Sequence, residues 1–295
     1  MTRYRSIIST FVLAAALSGA ASVSAYAQME APNPPKQQWS FSGPFGQYDP
    51  EQLQRGFAVY REVCSTCHSM KLLSFRNLAD PGGPGFTEAQ AAAIAATFQV
   101  TDGPNDQGQM FQRPGKISDY FPPPFANDQA ARAALGGGLP PDMSDLAKAR
   151  GYDEGFPWFL VDAFTMYNEQ GPDYIHAIIN GFTKAPAGFS QPPGTYYNEY
   201  FPGHAIKMPP PLHDGQVKYT DGTPETVDQY GRDVAAFLMW ASEPKLDERK
   251  ELGFQVMIFL IVLTGMLYFT KKKIWHEVEL HPELERPRAP TEYKA

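Results

Sequence analysis

The pentapeptide Cys64-Ser65-Thr66-Cys67-His68 holds both cysteines of the 295-residue chain, with an imidazole directly after the second. Two thiols within one helical turn can each form a thioether to one vinyl group of a haem, and the adjoining histidine then reaches the iron. A structural zinc site needs further cysteine or histidine ligands grouped at comparable spacing, and the chain offers none. A thioredoxin-like pair needs alternating strands and helices around it, and those patterns are missing too. The residues point to one covalently bound haem c, attached through Cys64 and Cys67 with His68 on the metal.

Iron held by one histidine keeps a second axial position, and its occupant decides the chemistry. A methionine or another histidine closes the site for electron transfer, whereas an open position admits small molecules. Met70 is too close in sequence to reach the opposite face of the haem. Met166 and Met239 fall in helical patterns and read as core packing. Met110 and Met143 lie in loops and remain candidates. Met208 is followed by three prolines, which stiffen an irregular stretch enough to hold a soft thioether at a set distance. His204 and His213 flank it as rivals, and spacing alone leaves the choice open.

The elements that must position these residues are helical. Asp49 caps a first helix, Pro50 suits its first position, and Leu53, Phe57 and Tyr60 recur at helical spacing up to Cys64. Gly56 on this helix permits close approach of another backbone. Thr87 with Gln90 forms a capping box that starts an alanine-rich helix to about Phe98. Residues 101–125 read as a long Gly/Pro/Asp loop, the length of which suggests a functional role. Helical patches follow at Asn127 to Leu135, Ser144 to Arg150, Phe156 to Glu169 and Asp173 to Asn180, the last stopped by Gly181. A final helix opens at Thr223-Pro224-Glu225, runs to about Ala241 and is expected to pack on the first. No strand of useful length is visible, so the fold class is all-α, a haem domain with long loops.

Residues 1–27 read as a secretory signal, with Arg3 and Arg5, an apolar stretch from Ile7 to Leu17 and a small-x-small site at Ala25-Tyr26-Ala27. Residues 28–244 form the exported domain. Leu252 to Thr270 is a 19-residue run without charge, about 28 Å as a helix and close to the hydrocarbon thickness of a bilayer. Lys271, Lys272 and Lys273 follow it, so residues 271–295 read as a cytoplasmic tail and the domain before the span as periplasmic. Residues 28–244 hold 14 basic and 24 acidic side chains, a net charge of −10. That balance disfavours nucleic acid and attracts a basic soluble partner.

Several short motifs in order resemble the cytochrome c1 family, the membrane-anchored haem subunits of quinol:cytochrome c oxidoreductase, or bc1, complexes. They include Gln54-Arg55-Gly56 before the haem motif, Ser69-Met70-Lys71 after it, Arg113-Pro114-Gly115-Lys116 and Pro140-Pro141-Asp142. Further on come Tyr174-Ile175, Ala205-Ile206-Lys207-Met208-Pro209-Pro210-Pro211-Leu212 and Asp233-Val234-Ala235-Ala236-Phe237-Leu238-Met239-Trp240-Ala241. The resemblance implies an all-α cytochrome c-type haem domain with large loop insertions plus one C-terminal transmembrane helix, with Met208 as the sixth ligand and Arg113 and Tyr120 beside the haem propionates. It implies cytochrome b and the Rieske iron–sulfur protein as partners in a dimeric complex of the inner membrane. A soluble c-type cytochrome is the implied acceptor. One departure stands out: some bacterial relatives carry a disulfide between the two ligands, and this chain has no cysteine left for one. The loop from Phe182 to Ala205 must be held by packing and proline instead. Two rival readings are an anchored cytochrome of a periplasmic dehydrogenase, and a haem peroxidase or gas sensor with a labile sixth position.

Overall fold

The computed structural model describes residues 32–152 and 155–280. The signal expected at residues 1–27 and the last part of the expected tail, residues 281–295, lie outside the described residues. The chain divides after Asp247 into two compact units.

In the first unit, helix α1 (Pro50–Glu62) begins where its cap predicts, with the Asp49 carboxylate accepting from the Glu51 N–H at 3.0 Å. Leu53, Phe57 and Tyr60 face inward and are buried. The helix ends in a tight 3-10 turn over Cys64–Thr66, in which the backbone N–H of Cys67 and that of His68 both donate to the Cys64 carbonyl, at 3.1 and 2.9 Å. A second 3-10 turn spans Phe75–Ala79. Helix α2 (Glu88–Ala96) starts on the expected Thr87/Gln90 capping box.

Two elements that the sequence did not announce follow. Strands β1 (Gln99–Asp102) and β2 (Phe111–Pro114) pair antiparallel, with Gln99 opposite Pro114 and Asp102 opposite Phe111. Both are largely exposed and lack apolar alternation, the signal by which a half-buried strand is read. Side chains hold this hairpin: Gln112 Nε2 donates to Thr101 Oγ1 at 2.7 Å, and Arg113 pairs with Asp102.

Helices α3 (Asp128–Ala134), α4 (Leu146–Ala149), α5 (Trp158–Thr165) and α6 (Gln170–Asn180) fall within or close to the expected patches. Met166 departs from expectation. It ends α5 in a left-handed conformation, φ 57°, and is 54% exposed rather than packed in a core. A short hairpin pairs β3 (Tyr196–Tyr197) with β4 (Ala205–Ile206).

Helix α7 (Val227–Ser242) is capped by Thr226, whose hydroxyl accepts from the Gln229 N–H at 3.3 Å. The expected start near Thr223 is three residues early. Glu225, which looks like first-turn acid, instead binds Lys218 Nζ at 2.7 Å and the Tyr219 N–H at 3.2 Å, and so belongs to the preceding loop.

The core forms where α1, α6 and α7 meet. A Cβ on Gly56 would stand 2.0 Å from the Asp233 carbonyl oxygen, so only glycine lets α1 and α7 cross this closely. Arg55 fastens the crossing, with Nε 3.1 Å from the buried Asp233 carboxylate and Nη1 2.8 Å from Asp221. Trp240, Tyr60, Tyr230, Phe75, Phe121 and Phe237 are fully buried here, each contributing about 1.5–3 kcal/mol of apolar burial. Among the described residues the regular structure of this unit is helical apart from the two small hairpins, and long loops join the helices.

The second unit is the body of helix α8 (Leu246–Leu280), 35 residues long. Its stretch from Leu246 to His276 is long and apolar enough to cross a membrane. The expected span was shorter: the helix continues through the three lysines, and Lys271 Nζ lies 5.7 Å from the Trp275 ring centroid.

Candidate haem site

The site is built on the turn that closes α1. Cys64 and Cys67 are both unpaired thiols, three residues apart on that turn. Cys64 packs against the hydrophobic core, and burial pushes its thiol up to about 12, so it is protonated at neutral pH. His68 follows with its ring held from behind: Nδ1 lies 2.9 Å from the carbonyl oxygen of Pro141. A carbonyl can only accept, so Nδ1 carries the hydrogen and Nε2 presents its lone pair. Burial holds the His68 pKa below the ordinary histidine value, against the smaller opposing effects of Pro141 and Asp142. Neutral imidazole is the form a metal requires.

The Pro141 carbonyl is kept in place by a dense set of bonds between residues 69–72 and 142–144. The Asp142 carboxylate accepts from Ser69 Oγ at 2.7 Å, the Lys71 N–H at 3.0 Å and the Ser144 N–H at 2.9 Å. The Met143 N–H donates to the Ser69 carbonyl at 2.8 Å, and the Leu72 N–H to Ser144 Oγ at 3.0 Å. Burial alone would raise the Asp142 pKa, but these donors outweigh it and hold the carboxyl below its ordinary value. In the sequence, Pro141 and Asp142 stand out only as part of a family motif. Nothing local marks them, because the contact they make spans 73 residues.

These residues fit a c-type haem. A metal-binding histidine commonly donates its second ring N–H to a backbone carbonyl, which fixes tautomer and orientation, and His68 does so. The two free cysteines precede it on the same turn and can serve the vinyl groups. Among the described residues no cluster of three or more His, Cys, Asp or Glu side chains could hold a metal ion.

The other candidates separate by position. Met208 is half-buried, two residues beyond β4. Its neighbour Lys207 donates to the Gly136 carbonyl at 3.1 Å, tying this loop to the segment that leads into Pro141. Met143 lies on the stretch behind the His68 ring, bonded through its backbone to Ser69. Met110 is 60% exposed, whereas Met70 and Met239 are buried in the core. The His204 ring is stacked on Tyr197 at 5.4 Å and 20°, with Nδ1 3.1 Å from the Asn198 carbonyl. His213 is exposed, with Nδ1 3.2 Å from the Asp214 carbonyl.

Arg113 is engaged by two carboxylates, Asp102 through Nε and Asp119 through both Nη atoms, and by the Pro114 carbonyl. Hydrogen bonds from Arg113 hold the Asp119 carboxyl down at about 2. The stretch 117–121 lies against 73–76, with the Arg76 N–H donating to Ile117 at 2.8 Å and the Phe121 N–H to Leu73 at 3.1 Å. Tyr120 points outward, 56% exposed, and Phe121 inward, 2% exposed.

Helices closing over a Cys-x-x-Cys-His turn, with the imidazole backed by a carbonyl, define a c-type cytochrome domain. The sequence matches the model of the Cytochrome C1 family over residues 39–278. It is 49% identical over 264 residues to cytochrome c1 of Blastochloris viridis, covering 88% of this chain and 93% of that one. A mitochondrial cytochrome c1 heme protein of Arabidopsis thaliana is 43% identical over 240 residues, 81% of this chain and 71% of that one. Cytochrome b/c1 of Bradyrhizobium diazoefficiens is 59% identical over 243 residues, covering 82% of this chain but 35% of that longer protein. The chain belongs to the cytochrome c1 family. It is a membrane-anchored, electron-transferring haem subunit of a bc1 complex, with a covalently bound c-type haem.

Proposed function

We propose that the chain holds a single haem between Cys64 and Cys67, with His68 and Met208 as axial ligands. In this reading it takes an electron from the Rieske iron–sulfur protein and delivers it to a soluble c-type cytochrome. The observation that carries the site is the bond from His68 Nδ1 to Pro141, which aims Nε2 and leaves it free to bind metal. When bound, the haem supplies an iron that cycles between Fe(III) and Fe(II). The chain's own residues do the rest. Cys64 and Cys67 would hold the haem by two thioethers at the end of α1. A haem packed against the buried aromatic residues of the core would be shielded from water, which would disfavour the extra positive charge of Fe(III) and raise the potential. The Met208 thioether, soft and neutral, acts in the same direction.

Arg113 and Tyr120 belong beside the haem propionates. The guanidinium already makes four hydrogen bonds, to Asp102, Asp119 and Pro114, and an arginine has five N–H donors. Its fixed fork can thus offer one further N–H to a carboxylate.

Topology follows the same reading: residues 1–27 are a cleaved signal, residues 28–244 form the haem domain in the periplasm, 252–270 cross the inner membrane, and 271–295 face the cytoplasm. Cytochrome b and the Rieske protein complete a dimeric complex, and this chain by itself does not oxidise quinol. The relative named cytochrome b/c1 supports cytochrome b as the neighbour.

The net charge of −10 on residues 28–244 supports a basic acceptor. The test is electron transfer from the isolated complex to a basic soluble cytochrome, followed by stopped flow. The rate should fall steeply as salt rises to about 0.1 M, where screening acts beyond about 10 Å. A salt-independent rate would remove the electrostatic part of the reading. Absence of cytochrome b from the purified complex would remove the rest.

A further inference from the structure

Met208 stands two residues beyond β4, so whatever fixes the β3–β4 hairpin also fixes the loop that delivers the thioether. We propose that Asn198 is the positioning residue for the sixth ligand. Its buried side chain bolts the hairpin to the end of α6, and the His204–Tyr197 stack closes the same clamp. The proposal rests on reading Met208 as that ligand.

Asn198 is fully buried and uses all four of its polar groups. Its Nδ2 donates to the Ile178 carbonyl at 2.7 Å, and its Oδ1 accepts from the Tyr200 N–H at 3.0 Å. Its backbone N–H donates to the His204 carbonyl at 3.0 Å, and its own carbonyl faces His204 Nδ1 at 3.1 Å. Ile178 lies in the last turn of α6, where carbonyls lack an intrahelical partner. One amide thus satisfies a helix end and closes the hairpin. The next residue repeats the attachment, the Glu199 N–H donating to Gly181 at 2.9 Å. Gly181 is needed for this fit, since a Cβ there would stand 2.8 Å from Asn198 Oδ1 and from Tyr200 Cδ2.

His204 holds the other side. It adopts φ 58°, a conformation uncommon for residues other than glycine. Its ring is stacked on Tyr197, and Phe189 meets that tyrosine edge-on at 5.0 Å. A left-handed residue kept in place by a stack sets the turn into β4, and hence the direction in which Ile206, Lys207 and Met208 leave it.

The clamp is joined to the haem turn by packed elements. Helix α6 carries Ile178 and lies against α7, with a Cβ on Gly231 placed 3.0 Å from Asn180 Nδ2. Helix α7 crosses α1 at Gly56, and α1 ends at Cys64. The second attachment, Lys207 to Gly136, leads into the segment behind His68. Both proposed ligands are therefore tied to the same set of packed helices without a disulfide, and the two cysteines of the chain both lie on the haem turn.

The experiment uses the haem-loaded full chain in its membrane complex, with Asn198→Ala and Asn198→Asp. The aspartate keeps the acceptor for Tyr200 but cannot donate to Ile178. Haem content by pyridine haemochrome should be unchanged. The charge-transfer band of methionine-ligated Fe(III) should weaken, reduced protein should take up carbon monoxide, and the one-electron equilibrium should shift at least tenfold toward Fe(III), about 59 mV. Normal haem content with all three properties unchanged would overturn the proposal. If the Asn198 variants do not accumulate as haem protein, His204→Asn decides. Asparagine tolerates the left-handed backbone but removes the stack, and the same three shifts support the clamp while unchanged values overturn it. Met208→Leu, measured alongside, separates the two readings. A band that survives Met208→Leu removes the ligand assignment and the clamp with it. A band lost in Met208→Leu but kept in the Asn198 and His204 variants removes the clamp alone.

Discussion

The Nδ1 atom of His68 lies 2.9 Å from the carbonyl oxygen of Pro141, 73 residues further along the chain. This contact converts a loop into part of the haem site, because it decides which ring nitrogen can bind metal. No side-chain substitution can delete a carbonyl, but the bonds that hold it can be removed.

Asp142→Ala removes the acceptor of Ser69 Oγ, the Lys71 N–H and the Ser144 N–H. Stranding these donors should cost about 2–3 kcal/mol of stability. The expected result is a lower thermal midpoint together with a broadened distribution of haem potentials. An unchanged midpoint would show that the 140–144 segment is held by other contacts.

Gly56→Ala should be more damaging than its single added methyl suggests. The new Cβ would meet the Asp233 carbonyl at 2.0 Å, and neither backbone can yield without separating α1 from α7. Overpacking of this kind costs about 3 kcal/mol, which for a domain of this size is about 6–12 °C in Tm. Thermal unfolding followed at the haem band measures it. A loss below about 2 °C would mean that the crossing is loose.

Several of these features were legible in the sequence, and the reason is that they are local. The Asp49-Pro50 start of α1, the Thr87/Gln90 box and the haem turn each depend on residues within one or two helical turns. Gly56 was readable because glycine weakens a helix interior unless a neighbouring backbone needs the space of the missing side chain. The hairpins were not readable, since strands of only four and two residues are too short to carry an apolar alternation. The start of α7 misled because Glu225 resembles a first-turn acid, yet Lys218 and Tyr219 claim it. Met166 misled because an apolar run such as Trp-Phe-Leu-Val reads as core, whereas most of α5 is exposed. Asn198 escaped notice altogether, since its partner Ile178 lies on a helix 20 residues earlier.

Acid should expose the Arg113 cluster. Hydrogen bonds from Arg113 hold the Asp119 carboxyl at about 2 in the folded chain, against about 3.9 when unfolded. A carboxyl depressed in the folded state contributes stability that is fully present above the unfolded value and lost as pH falls through the folded one. The contribution should therefore persist above about pH 4 and disappear toward pH 2. Asp119→Asn should show a flatter decline than the parent across that window in acid unfolding followed by circular dichroism. Parallel curves for the two proteins would contradict the assignment.

The central claim is that Met208 closes the iron opposite His68, and one measurement reaches it directly: the potentiometric and spectral comparison of Met208→Leu with the parent in the assembled complex. Leucine keeps the volume and removes the sulfur, while Cys64, Cys67 and His68 still attach the haem. Haem content should be unchanged, the Fe(III)–methionine charge-transfer band lost and carbon monoxide bound by the reduced protein, with a potential lower by about 59 mV or more. Retention of the band and the parental potential in Met208→Leu would contradict the claim.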